Sequence, residues 1–201
     1  MRYLKIIGLS FFILFMNGCT LDELLKELNL KHPPKIDLIE AIDKGRVGGF
    51  DRSDPINVQY EVVLNYVRSL DIQCIDGDMK SGPSPEIDYN NKLIDAAKEH
   101  SDDMLDTGNF SHEGSDGSHS YDRMRKHGFK GLKYAENIYY KHDSLGNGKD
   151  TWIHAIEAWV TSTDGHCSNM MDPDITDFGM YESKNSDNTT SYITLDLGQK
   201  N

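Results

Sequence analysis

The chain has 201 residues, of which 33 are acidic and 21 are basic, and its net charge is −12. This acidic balance excludes nucleic acid as a partner, because phosphate recognition requires a basic patch, and it disfavours electrostatic docking onto anionic lipid. After the first 16 residues no long apolar run occurs, so contact with a membrane is expected at the N-terminus alone.

The N-terminus has the pattern of a signal peptide that ends at a cysteine. Met1–Lys5 carries two positive charges, and Ile6–Met16 is a mostly apolar run that is too short to span a bilayer. Gly18 and Cys19 then resemble a bacterial lipoprotein cleavage site. We expect residues 1–18 to be removed as a lipoprotein signal peptide and Cys19 to be lipidated. An ordinary secretory signal with a chance cysteine is the alternative.

Lipidation at Cys19 predicts that the protein resides in the cell envelope. Several acyl chains anchor a protein stably, whereas a single chain binds only marginally. Because Thr20, and not an aspartate, follows the cysteine, we predict the outer membrane of a Gram-negative bacterium, facing the periplasm or the exterior. Removal of the leader also removes Arg2 and Lys5, so the net charge changes from −12 to −14.

Residues 19–56 are predicted to form a lipidated tether. Short amphipathic stretches alternate there with Pro33–Pro34, which ends a helix, and with the glycine-rich segment 45–49. A longer periodic pattern begins near Asn57. We therefore place one compact domain at 57–201, which at about 145 residues is large enough for a single hydrophobic core.

Two long helices are predicted at the start of this domain. The first has a stripe of apolar residues at helical spacing, namely Tyr60, Val63, Val67 and Leu70. The second is predicted over residues 89–105 and turns His100 towards the core or the rim of a cavity. A hydrogen-bonded core histidine is favoured there over a metal ligand.

The rest of the domain alternates helices and strands. A short helix is predicted after a cap at Ser118 or Ser120 and before Gly128. The further elements are a strand over 134–140, a helix over 150–163 and two paired strands over 177–183 and 191–198. This succession predicts an α+β fold in which a small antiparallel sheet is covered by helices.

Cys74 and Cys167 are the two cysteines of the predicted domain. An even pair in an oxidising compartment predicts a disulfide. Closing a loop of about 94 residues stabilises the fold by about 4–5 kcal/mol at most. The alternative is a Cys167 thiolate that acts as a nucleophile or a metal ligand.

Three short polar segments carry the candidate chemistry. They contain His112 in "FSHEGSDGS", Glu136 in "AENI" and His166 in "DGHCSNMM". Loops of this composition commonly carry functional residues on a rigid scaffold. Imidazole and carboxylate together form the ligand set of zinc or another divalent metal. The three residues are therefore a candidate metal site.

The order of these segments resembles a known family. The segments "LNYVR", "AAKEHSDDM", "FSHEGSDGSHSYDRM", "AENI", "AIEAW", "DGHCSNMMDPDITDFGM" and "YITLDLG" follow one another as in bacterial CAP-domain proteins. These are the SCP-like relatives of the cysteine-rich secretory, antigen 5 and pathogenesis-related proteins. The resemblance covers residues 57–198 and implies an α-β-α sandwich with a central cleft.

The resemblance also implies a site. In eukaryotic members the cleft has two histidines and two glutamates, and His112, Glu136 and His166 match three of them. The second glutamate lies three residues after the tryptophan, where this chain has Ser162, so the tetrad is incomplete. Asp116 or His119 could compensate in a metal site. The alternative is a metal-free, hydrogen-bonded cluster.

Two functions follow as hypotheses. The first is a lipid-anchored binding or interaction module whose partner is an unknown protein, lipid or cell-wall ligand. The second is a metal-assisted hydrolase with a peptidase-like reaction, in which Glu136 is the general base. The chain lacks the "HExxH" and "GxSxG" motifs, so a role other than catalysis is favoured. A purely structural role in the envelope is a third alternative.

Overall fold

The computed structural model describes residues 36–76, 82–145 and 148–201. The predicted signal peptide, the predicted lipidation site Cys19 and the tether as far as residue 35 lie outside these residues. No helix within the described ranges is long and apolar enough to cross a membrane.

Helices and strands alternate along the described ranges. The helices are α1 (Leu38–Asp43), α2 (Ile56–Ser69), α3 (Asn91–Thr107), α4 (Ser120–Lys126), α5 (Thr151–Val160) and α6 (His166–Met170). The strands are β1 (Asp88–Tyr89), β2 (Gly131–His142), β3 (Asp177–Lys184) and β4 (Thr190–Lys200).

The four strands form one sheet in the order β1-β3-β4-β2. Strand β4 pairs antiparallel with β3, as the sequence predicted, and also with β2, whereas the two-residue β1 adds a parallel pairing to Asp177 and Phe178. Two edges of the sheet have no strand partner among the described residues. One is the outer side of β2, and the other is β3 after Phe178.

Helices cover both faces of the sheet, which confirms the predicted α-β-α sandwich. On one face Ile193, Leu195 and Leu197 of β4 pack with α2 and α5 in the main hydrophobic core. On the other face α3 lies on β3 and β4, where Ser101 donates to the Thr194 hydroxyl at 2.9 Å. This approach is close, because a Cβ on Gly179 would meet the α3 backbone at 2.1 Å.

Helix ends follow local chemistry. The predicted stripe of α2 is buried as far as Val67, and Leu70 is the C-cap. Helix α3 begins later than predicted because the Asn90 side chain caps it, and it ends at Gly108 with φ 71°. The predicted serine cap of α4 is wrong: the N-cap is His119, whose N–H donates to Asp122 at 3.0 Å.

Part of the predicted tether packs on the domain, within the described residues 36–56. Leu38 and Ala41 of α1 are buried in the main core. The Leu38 N–H donates to Glu157 Oε1 at 2.7 Å. Leu38, Ala41 and Val47 thus pack on the domain, and residues 19–35 of the predicted tether lie outside the described residues.

The disulfide between Cys74 and Cys167 is formed, with a Cα–Cα distance of 5.5 Å, as the sequence predicted. Both cysteines are buried. The bond joins the segment after α2 to the second residue of α6, directly beside His166. A Cys167 thiolate is therefore absent from this state of the protein.

Candidate functional site

A cleft of about 500 Å³ lies at the open edge of β2. It is lined by His112 and His119 from the segment between α3 and α4, by Ile138 of β2 and by His166 of α6. A second cavity of about 480 Å³ shares Phe110, Ile138 and His166 with it and continues past Ser162. The sheet edge therefore brings two of the three predicted site residues, His112 and His166, to one surface.

His112 is held in one orientation by a buried carboxylate. Its Nδ1 lies 2.8 Å from Glu136 Oε1, although 54% of the His112 side chain is exposed. Because an ionised carboxylate can only accept, Nδ1 must donate the proton. In the neutral ring the lone pair is then on Nε2, the nitrogen that a metal would bind.

Glu136 is engaged on both oxygens. Its side chain is 2% exposed, and Oε2 accepts from Arg123 Nη2 at 2.6 Å. Burial alone would raise the pKa of Glu136, but the hydrogen bond from His112 and the charge of Arg123 lower it overall. Glu136 does not line the cleft. Both of its oxygens are therefore used by protein partners, and one of these contacts orients His112.

Arg123 is a site residue that the sequence reasoning missed. Its side chain is 1% exposed and also donates to the carbonyls of Ser118 and His112, at 2.8 and 3.2 Å. Arg123 thus fixes both the His112 loop and the Glu136 charge. The only sequence signal was its place in the "FSHEGSDGSHSYDRM" segment, since an arginine on a short helix is usually exposed.

Two further buried groups surround Glu136. Asp196 is its cross-strand partner, and burial followed by the charge of Glu136 raises the pKa of Asp196 well above its usual value. The raised pKa favours a neutral Asp196 beside the ionised Glu136, which avoids two buried negative charges in contact. His100 Nε2 lies 3.9 Å from Glu136 Oε1.

His100 is buried, as predicted, but the expected hydrogen bond is not made. Neither ring nitrogen has a partner in hydrogen-bond geometry among the described residues. Burial lowers the pKa of His100, and the charge of Glu136 opposes this shift only in part. His100 is therefore a neutral group behind the cleft.

His166 is positioned differently from His112. The sequence placed it in a loop, but it is the first residue of α6, after Gly165 with φ 87°. Its Nδ1 lies 2.7 Å from Ser162 Oγ, and the Asn137 side chain donates to its carbonyl at 3.0 Å. Burial and the nearby His112 lower the pKa of His166, which favours the neutral ring.

Ser162, at the position where the resemblance predicts a glutamate, lies beside His166. Its hydroxyl contacts His166 Nδ1 and accepts from the Asp164 N–H at 3.1 Å. A hydroxyl can orient an imidazole, but it supplies no negative charge. His166 therefore has a neutral partner where His112 has an ionised one.

The two residues predicted to compensate in a metal site, His119 and Asp116, lie in different places. His119 lines the cleft and caps α4. Asp116 is exposed and accepts the Ser118 N–H at 2.9 Å, within its own turn, and it is not among the residues that line the cleft.

The described residues do not pre-assemble a three-residue metal site in the cleft. The one group of three His, Cys, Asp or Glu ligand atoms that all lie within 4.8 Å is Cys74, Asp76 and Cys167. Both cysteines of that group are in the disulfide. In the cleft, the donor set that fits a metal is two imidazoles with open positions beside them.

Solved structures show the same fold. An extracellular protein with an SCP domain from Bacillus anthracis is 22% identical with a TM-score of 0.54, and the match covers 71% of this chain and 40% of that chain. An outer surface protein of Borrelia burgdorferi is 14% identical with a TM-score of 0.53, and the match covers 84% of this chain and 99% of that chain. The chain thus spans less than half of the Bacillus protein.

No curated protein matches the chain. Residues 62–197 match the CAP family, described as the Cysteine-rich secretory protein family, which covers most of the folded unit. This protein is a member of the CAP family.

Proposed function

We propose that this protein is an exported, lipid-anchored binding module whose cleft holds a divalent metal, zinc in the first instance, through Nε2 of His112 and of His166. The observation that carries the proposal is that both rings line one cleft while each Nδ1 has a protein partner. A carboxylate partner fixes both the tautomer and the ring orientation of a metal-binding histidine, as Glu136 does for His112, and the Ser162 hydroxyl holds the ring orientation of His166. A bound metal would supply a Lewis acid with open positions for a partner's oxygen or nitrogen.

The mouth of the cleft supports binding of a larger partner. Phe110 is 49% exposed and lies 6.0 Å from the Tyr140 ring, between centroids, and Tyr140 is also exposed. Exposed aromatic rings beside a polar site are typical of recognition surfaces. The unknown partner, whether protein, lipid or cell-wall ligand, would contact this aromatic rim and reach the histidines.

The proposed anchor is the acylated Cys19, which places the module in the envelope, at the outer membrane. Its support is the signal-like segment 1–18 and the residues around Cys19. Mass spectrometry of the membrane fraction is expected to find a diacylglyceryl-modified N-terminal Cys19. A Cys19→Ala chain that still fractionates with membranes would contradict the anchor.

The hydrolase hypothesis has less support from the same cleft. A general base must reach the water that it activates. Both oxygens of Glu136 are already hydrogen bonded, and its side chain is buried behind His112. We therefore assign Glu136 an orienting role in the binding proposal.

Calorimetric titration with zinc tests the proposal. The sample is the chain from residue 19 with Cys19→Ser and the disulfide formed. We expect micromolar or tighter binding that disappears in His112→Ala/His166→Ala. The matched control is His142→Ala/His154→Ala, which removes two histidines outside the cleft and should leave binding unchanged. Absent binding, or binding unchanged in the cleft variant, would refute the metal site.

A further inference from the structure

One end of the sheet carries exposed cations that no carboxylate neutralises. It is the end at which β2 begins and β4 finishes, because Gly131 pairs with Lys200. Four exposed cations there have no ion pair with a carboxylate among the described residues, and two exposed apolar or aromatic side chains lie with them. We call this set the basic end: Lys92, Arg125, Lys130, Lys200, Tyr121 and Leu132.

Contacts around the buried ring of Phe129 join these residues into one surface. The ring lies against the backbone of both strands, since a Cβ on Gly131 or on Gly198 would clash with it. Lys130 follows Phe129 directly. Lys92 reaches the same place from α3, because a Cβ on Gly128 would contact the Lys92 side chain at 4.0 Å.

Aromatic rings extend the surface along α4. The Tyr134 ring lies 5.8 Å from Phe129 and 4.8 Å from Tyr121, between centroids. The Arg125 guanidinium lies 5.6 Å from the centre of the Tyr121 ring. Its partner is thus an aromatic ring and not an anion, so its positive charge is not cancelled.

Leu132 projects beside these cations. It is 71% exposed and lies where β2 shifts its register against β4, between Gly131 and Lys133. A single exposed leucine is ordinary. Exposed leucine and tyrosine side chains among lysines and arginines, however, are typical of contact with a bilayer, in which the amines meet phosphates and the tyrosine lies among the head groups.

Other cations at this end have acidic partners. Lys126 pairs with Glu99 at 2.8 Å, and Lys133 pairs with Asp172 and Asp174. These pairs add no net charge at the surface, so the excess charge comes from the four cations of the basic end.

The acidic balance of the whole chain disfavoured docking onto anionic lipid, but charge acts locally. At physiological salt the Debye length is about 8 Å, whereas the twelve residues of β2 alone span about 36 Å. Carboxylates at the far end of the sheet are therefore screened. The exposed Asp95 and Asp122, one helical turn from Lys92 and from Arg125, are outnumbered by the four cations.

We infer that the basic end binds the surface of an anionic phospholipid bilayer, its four cations contacting lipid phosphates and Leu132 entering between the head groups. Each lysine or arginine near such a surface strengthens binding about fivefold, so this contact is weak and reversible without an acyl chain. It uses neither Cys19 nor the histidine cleft and is therefore independent of the proposed function.

Vesicle sedimentation tests this inference on the chain from residue 19 with Cys19→Ser, which cannot be acylated at that position. We expect the chain to sediment with vesicles of phosphatidylglycerol and phosphatidylcholine in equal parts, at millimolar lipid. Binding to phosphatidylcholine alone should be at least about tenfold weaker. An ionic strength of about 1 M, where the Debye length is about 3 Å, should release the bound chain.

Charge reversal at two positions separates the basic end from net charge. Lys130→Glu/Lys200→Glu should weaken vesicle binding at least about tenfold. The matched control is Lys141→Glu/Lys149→Glu, which changes the net charge equally. Lys141 lies at the far end of β2 and Lys149 beyond it, before α5, so binding should weaken much less. Leu132→Ser should weaken binding without changing its salt dependence. Circular dichroism checks that each variant is folded.

The inference is overturned by equal binding to the two vesicle types, by no sedimentation with either, or by equal losses in the two double variants. Binding of poly-L-glutamate that depends on Lys130 and Lys200, without vesicle binding, would also overturn it and would identify an acidic protein as the partner. None of these results depends on whether the cleft binds zinc.

Discussion

The two open edges of the sheet each have a buried glutamate, and the two differ in how completely they are paired. At the β2 edge, Glu136 accepts from His112 on one oxygen and from Arg123 on the other. At the β3 edge, Lys184 pairs with one oxygen of Glu182, and no described residue meets hydrogen-bond geometry at the other oxygen. The Glu182 side chain is 9% exposed and that of Glu136 is 2% exposed, and the two carboxylates differ most in the number of their partners.

The pKa values of these carboxyls shift in opposite directions for this reason. Burial acts upward on both, but His112 and Arg123 outweigh it at Glu136, and Lys184 does not outweigh it at Glu182. A fully paired carboxylate holds neighbouring side chains in place, as Glu136 holds His112. At Glu182 burial prevails over the single ion pair, so the ionised form is disfavoured.

The largest loss of stability is expected when Arg123, the cation that pairs with Glu136 at the β2 edge, is removed. Arg123→Met leaves Glu136 buried beside Asp196 without a counter-charge, so we expect a loss of about 3–5 kcal/mol in the free energy of unfolding. Urea denaturation measures it. Arg125→Met, on the exposed side of the same helix, is the control and should change stability little. A loss below about 1 kcal/mol in Arg123→Met would mean that the network does not hold the fold.

Neutralising each glutamate compares the edges directly. Glu136→Gln gives up charge-assisted hydrogen bonds and is expected to cost about 2–3 kcal/mol at neutral pH. Glu182→Gln loses one ion pair, with the part-exposed Lys184. Its free energy of unfolding is expected to stay within about 1 kcal/mol of that of the native chain. Glu86→Gln, at an exposed glutamate, is the control. Equal losses in the two buried variants would contradict the comparison.

The pH dependence of stability should distinguish Glu182→Gln from the native chain. The folded-state pKa of Glu182 lies above its unfolded value, so its contribution is present at acid pH and is lost as pH rises through the folded pKa. Glutamine has no such proton. The Tm difference between Glu182→Gln and the native chain should therefore move in favour of the variant from about pH 5 to pH 8. A constant difference over this range would refute the raised pKa.

A smaller effect is expected from restoring charge beside His166. Ser162→Glu puts a carboxylate next to Nδ1, so the pKa of His166 should rise and zinc affinity should increase about tenfold, as orienting carboxylates usually provide. NMR titration and calorimetry measure the two quantities. Thr163→Glu adds the same charge one residue away and should change neither strongly. Equal gains in both variants would assign the effect to net charge.

The elements that bury an apolar stripe were predictable from the sequence. Helix α2, helix α3 and strand β4 follow the periodicity of residues such as Val63, Leu93 and Leu195. The elements that were missed are too short to show a period. These are β1, with two residues, and α6, with five residues.

The candidate site was predictable only in part. The segments around His112 and His166 indicated a shared cleft, and the structure brings these residues to one surface. Arg123 was missed because only its tertiary partner, Glu136, explains its burial. The open edge at Glu182 could not be anticipated, because it depends on β1 ending after two pairs and leaving the rest of β3 open. Neither the burial of Arg123 nor the short length of β1 has a local sequence signal.

The most direct test of the account is the tautomer of His112, measured by long-range ¹H–¹⁵N NMR on the chain from residue 19 with Cys19→Ser at neutral pH. The account predicts a proton on Nδ1, held by Glu136, and an unprotonated Nε2 whose resonance shifts when zinc is added. A proton on Nε2, or an Nε2 resonance that zinc leaves unchanged, would contradict the claim that Glu136 orients His112 for metal binding.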